Sequence, residues 1–114
     1  MKKIIYYPSA LKSIQGFPEK AKQRMMRLLE MVSEGLNLQP NDFKYMPSVG
    51  MGTYELRVKT DNQYRIFYVT KFPEAIYVLH AFVKKTQTTS KQDIDKGKEC
   101  YKKILEYRNE GQTI

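Results

Sequence analysis

Arg57 and Arg65 flank Asp61, and Lys84 and Lys85 follow a run of apolar residues further on. Four cations carried by strand-forming segments are the one concentration of chemistry-bearing residues in this sequence. Guanidinium groups stay charged at any working pH and suit the binding of a polyanion, RNA first among them. A lysine crowded by other cations has its pKa lowered, which makes Lys84 or Lys85 a candidate acid or base. Glu55 is an alternative base. His80 is the only histidine and Cys100 the only cysteine, set twenty residues apart. That count argues against a metal centre, a two-histidine ribonuclease and a Ser-His-Asp or Cys-His arrangement. His80 sits among apolar residues and reads as a core histidine ahead of a proton donor. Gly50-Met51-Gly52 is too slight to be a phosphate-cradling loop.

The elements that position these residues follow from periodicity. Ile4 to Tyr7 reads as a first strand ended by Pro8. Ser9 is the expected cap of a short helix carrying Leu11 and Ile14, stopped by Gly16. Ala21, Met25, Leu28, Leu29 and Val32 then mark one face of a second helix, with Pro18 in its first turn and Gly35 just past its end. A tight Gly-Phe-Pro turn should set the two helices antiparallel. From Leu36 to Gly52 the composition predicts a loop pinned by Phe43, Tyr45 and Met46. Thr53–Lys59, Gln63–Val69 and Ile76–Val83 read as a three-stranded meander. Ser90 with Asp93 resembles a capping box, opening a last helix whose Ile94, Tyr101, Ile104, Leu105 and Arg108 share a face. Gly97 costs that helix about 1 kcal/mol relative to alanine. The order β-α-α-β-β-β-α predicts an α+β domain: an antiparallel sheet, two N-terminal helices on one face and a C-terminal helix.

Register decides whether the arginines meet. A loop with an odd number of residues centred on Asp61 places Arg57 directly across from Arg65. A two-residue Asp61-Asn62 turn sends them to opposite faces. The odd loop is favoured because it keeps Tyr54, Leu56 and Val58 on the side of Tyr64, Ile66 and Tyr68. Like charges opposed on a sheet are destabilising, and an anion between them relieves this. The plainer alternative is that Glu55 neutralises Arg65 diagonally on a solvated face. Only one of Lys84 and Lys85 can share the arginine face of a regular strand.

Composition sets the wider frame. The 114 residues suffice for one domain, and 20 Lys and Arg against 12 Asp and Glu give a formal charge of +8. Such an excess favours an anionic partner. A lone cysteine suits a reducing compartment. The N-terminal apolar run is too short for a signal-peptide core or a membrane span. A cytoplasmic protein is therefore expected.

Three blocks, Thr53-Tyr54-Glu55-Leu56-Arg57, Tyr64-Arg65-Ile66-Phe67-Tyr68 and His80-Ala81-Phe82-Val83-Lys84-Lys85-Thr86, precede Asp93-Ile94. In this order they resemble the RelE/ParE toxin superfamily, and its HigB-like, phage-related branch most closely. The match follows the element order over most of the chain and is strongest from Met51 to Ile94. It implies a single RelE-like toxin domain over 1–114, belonging to a type II toxin–antitoxin pair. Such toxins commonly cleave mRNA on the translating ribosome, without a metal or other cofactor, by attack of the substrate's own 2′-OH. A partner antitoxin, expected to carry a helix-turn-helix, silences them. Arg57 and Arg65 match basic positions used at the scissile phosphate. Lys84 and Lys85 match the basic pair ending the last strand, and Lys44, Lys59 and Lys91 are further candidate RNA contacts. Thr89-Ser90 stands where a Thr-Pro step is usual, and Gly97 and Cys100 replace more typical helix residues. No equivalent of the tyrosine that some relatives use in catalysis is identified. The same scaffold also serves ParE-like gyrase inhibitors and, without catalysis, would be an RNA-binding module. The basic meander favours the nuclease.

Overall fold

The computed structural model describes residues 1–112. Five strands and three helices follow in the order β1 (Lys3–Tyr6), α1 (Pro8–Gln15), α2 (Glu19–Ser33), β2 (Phe43–Tyr45), β3 (Thr53–Lys59), β4 (Gln63–Val69), β5 (Ala75–Lys84) and α3 (Lys91–Gln112). The α+β class is the one expected. The sheet order is β1-β5-β4-β3-β2. Its meander β3-β4-β5 is antiparallel, whereas β1 runs parallel to β5, so the sheet is mixed. The segment expected to be pure loop contributes a 3-10 turn, Pro40–Asp42, and the edge strand β2. Three residues give too short a run for alternation to declare itself.

Chain reversal explains the parallel pairing. β1 and β2 lie at opposite edges, four strand spacings or about 19 Å apart. The 15 residues of α2 rise about 22 Å, enough to carry the chain across. On the way α1 packs over β5 and α2 over β3. Helix α1 begins at Pro8, with Tyr7 rather than Ser9 at the cap position. Proline suits the first turn because its missing N–H would have had no helical partner. Helix α2 closes on a Schellman arrangement: Gly35 N–H donates to the Val32 carbonyl and Leu36 N–H to that of Met31. Gly35 adopts φ 77°, the left-handed conformation this motif requires.

Both sheet faces are covered. One core joins Ala10, Ile14, Met25, Leu28 and Leu29 to Leu56, Val58, Tyr64 and Ile66. The other joins Phe67, Val69, Tyr77 and Leu79 to Cys100 and Ile104 of α3. Two-sided burial explains why β4 and β5 read as near-continuous apolar runs. The buried stripe of α3 differs from the expected one. Gly97, Cys100 and Ile104 are buried, while Ile94, Tyr101, Leu105 and Arg108 lie half-buried at its margins. A Cβ on Gly97 would sit 2.7 Å from Phe67 Cδ2 and 2.9 Å from Val49 Cγ1, so the glycine admits the sheet to the helix. Val49 and Met46 fix the preceding loop in this core, whereas Tyr45 is exposed, its ring 5.2 Å from that of Tyr54. No helix among the described residues is long and apolar enough to cross a membrane.

Candidate functional site

The β3–β4 hairpin adopts the odd loop. Lys59 pairs with Gln63 around Thr60, Asp61 and Asn62, and Arg57 lies directly opposite Arg65. Asp61 holds this turn by accepting from Thr60 Oγ1 at 2.8 Å and from the Tyr64 hydroxyl at 3.0 Å. Three residues between the strands keep Tyr64 and Ile66 beside Val58 and Leu56, where they bury under α1 and α2. The two arginines are thereby left on the face that α3 partly covers.

Between them lies Glu55, fully buried. Arg57 Nε donates to Glu55 Oε1 at 3.2 Å, and Arg65 Nε approaches the same oxygen at 3.5 Å. The second distance is an ion pair without a formed hydrogen bond, and Arg65 Nε is buried with no hydrogen-bond partner. The remaining carboxylate oxygen, Oε2, accepts from Thr89 Oγ1 at 2.6 Å. Arg65 completes its shell by donating to Gln63 Oε1 at 2.6 Å and to the Tyr64 carbonyl at 3.2 Å. The two cations are therefore unequal: the Arg65 side chain is 7 % exposed and that of Arg57 is 30 %. Burial draws the Arg65 guanidinium below the usual arginine range; the Glu55 charge opposes this and the Arg57 charge adds to it.

Lys84 resolves the choice between the two terminal lysines. It pairs with Gln63 across β4–β5, two positions beyond the Arg65–Phe82 pair, and so shares the arginine face. Burial first, and the Arg65 charge second, hold its ammonium below the ordinary lysine range. Lys85 has the opposite parity and is exposed, but it joins Lys59, Gln63 and Lys84 around a cleft of about 410 Å³ at the hairpin end. Lys44 pairs with Glu55 across β2–β3 and therefore lies on the arginine face, exposed at its edge. Lys59 is also exposed and lines a second cleft of about 500 Å³ with Arg57, Gln63 and Arg65. That cleft follows β3 beyond Leu56, where pairing with β2 ends. Lys91 stands apart on α3, 89 % exposed and paired with Asp95 at 2.9 Å.

His80 is not brought to the arginine pair. It lies opposite Phe67, one same-face position beyond Phe82, and stacks on the Phe82 ring at 5.1 Å. Its Nε2 lies 2.8 Å from Asp93 Oδ1. Asp93 Oδ2 accepts from Ser90 Oγ, which in turn accepts the Asp93 N–H at 3.1 Å. The expected cap thus exists, and His80 extends it into the sheet. Ser90 gives the helix a hydroxyl cap that proline could not supply. Thr89 and Gln63 are contacts of the cluster that sequence patterns miss. Thr89 reaches Glu55 across 34 residues, a distance no local signal spans.

A five-stranded α+β sheet with its basic residues gathered at the meander's hairpin end defines the class: a RelE-like scaffold. The profile of the family described as Phage derived protein Gp49-like (DUF891) matches residues 12–102, and the chain belongs to that family. It is a RelE-like, phage-derived toxin family. No curated protein matches the chain significantly.

Proposed function

We propose that this protein is the toxin of a type II toxin–antitoxin pair and cleaves mRNA on the ribosome in the cytoplasm. The observation that carries the reading is the direct opposition of Arg57 and Arg65 around the buried Glu55, with Lys84 on the same face. In this reading the substrate's 2′-OH attacks the adjacent phosphorus. Arg57, the more open guanidinium, binds the phosphorane oxygens, and Arg65 adds fixed positive charge behind it. Glu55 aims both through Oε1, and the Thr89 hydroxyl holds its other oxygen. Lys84, with its lowered pKa, protonates the 5′ leaving oxygen. The 2′-OH proton leaves to solvent or to a ribosomal group, and the ribosome supplies orientation worth several kcal/mol. Lys44, Lys59 and Lys85 hold flanking phosphates. His80 and Lys91 stay outside the chemistry, the first as part of the α3 cap and the second as a surface ion pair. The cognate antitoxin is expected to carry a helix-turn-helix.

Expression without antitoxin provides the test. The wild type should arrest growth and generate new mRNA 5′ ends, whereas Arg57→Ala and Lys84→Met should do neither while melting cooperatively within a few degrees of the wild type. An Arg57→Ala protein that still cleaves mRNA would overturn the proposal. Arrest accompanied by a DNA-damage response and intact mRNA would assign the scaffold to gyrase inhibition instead.

A further inference from the structure

The 500 Å³ cleft does not end at the arginines. Its far wall is made by Arg24 of α2 and by Asn41 and Asp42 of the 3-10 turn, with Val58 also lining it. These residues differ in kind from the lysines around the hairpin. Phosphates call for donors alone, and a carboxylate among them is unfavourable. Arg24, Asn41 and Asp42 instead set a cation, an amide and a carboxylate side by side. Arg24 Nη2 and Asp42 Oδ2 lie 3.5 Å apart, a long contact between a side chain 51 % exposed and one 20 % exposed. A planar group able to accept from the guanidinium and donate to the carboxylate can replace so weak a pair.

We infer that this end of the cleft is a nucleobase subsite that reads guanine in single-stranded RNA. The inference rests on the nuclease reading above and names what that site selects. The Watson–Crick edge of guanine sets O6, an acceptor, beside two donors, N1–H and the exocyclic amine, and such edges are open in single-stranded RNA. Arg24 donates to O6, and the Asp42 carboxylate beside it accepts from N1–H and the amine. Adenine and cytosine turn an unprotonated ring nitrogen toward the carboxylate, and uracil offers it one ring N–H beside a carbonyl oxygen. Arg57 and Lys59 line the same cleft and are placed to hold the nucleotide's phosphate while its base enters.

Binding of short, fully 2′-O-methylated RNAs that differ only in the central base tests this without cleavage. By fluorescence anisotropy the wild type should bind the guanine RNA at least roughly tenfold more tightly than the other three. Arg24→Ala and Asp42→Asn should reduce the difference to about twofold or less, whereas Arg57→Ala should weaken all four alike. Equal wild-type affinity for the four RNAs, no binding to any of them, or a guanine preference that survives Arg24→Ala would overturn the subsite. A guanine preference abolished by Arg24→Ala, in a protein that leaves cellular mRNA intact, would support the subsite while refuting the nuclease.

Discussion

Arg57 and Arg65 carry the same charge in different surroundings, and their substitutions should separate accordingly. Removing Arg65 leaves Glu55 buried with its nearest compensating charge only half in water. Breaking a buried pair from one side costs about 3 kcal/mol or more, whereas the Arg57 side chain is 30 % exposed and its removal lets water reach the carboxylate in its place, at a smaller cost. Arg65→Ala should therefore lower the melting temperature by roughly 10 °C or more, and Arg57→Ala by only a few degrees. Thermal melts of the two variants side by side decide the point, and equal losses would contradict the assigned roles. For this reason Arg57, not Arg65, is the residue whose loss reports on activity alone. The opposition of the two was readable from alternation, because only one loop parity buries both apolar rows. Their inequality was not, since it depends on Gln63 and Thr89 filling the space around Glu55.

At the scale of elements, α3 is the piece whose packing runs against its own propensity. Gly97 weakens an isolated helix, yet it lies where Phe67 and Val49 leave no room for a methyl group. Gly97→Ala should gain up to about 1 kcal/mol in propensity and lose more to overpacking, for a net destabilisation of about 1 to 2 kcal/mol. Chemical denaturation measures this, and a more stable alanine variant would show that the helix can ride outward freely. Thr89 and Ser90 lead into this helix and His80 of β5 joins Asp93 in its cap, so its seating also holds Glu55. Near its other end Arg108 grips Glu74 with contacts of 2.6 and 3.0 Å over the Phe72 ring. The cap was legible in the sequence, but the buried stripe through Gly97 and Cys100 was not. Periodicity counts apolar side chains, and a close backbone approach leaves none to count.

Across the whole molecule the charge is +8, with Arg57, Lys59, Lys84 and Lys85 collected around two clefts that share Lys59 and Gln63. Binding of a single strand there should release one set of counterions per phosphate held, with log K falling against log salt by about 0.7 for each. Lys59→Ala should make that slope shallower by about 0.7 in titrations with 2′-O-methylated RNA. An unchanged slope would place the phosphates elsewhere.

The amino-acid sequence by itself determined the order of the main elements, the antiparallel meander, the register of its first hairpin and the basic character of one face. Each is a consequence of local alternation, turn chemistry or helix period, acting over a few residues. Tertiary structure alone decided that β1 pairs parallel with β5, that β2 forms an edge, and that Lys84 rather than Lys85 completes the arginine face. It also decided that Arg24 and Asp42 stand across a cleft from Arg57. These arrangements join segments tens of residues apart. They are fixed by how two helices return the chain across the sheet and by which side chains then fill the space left between faces, and neither is written in any one stretch of the chain.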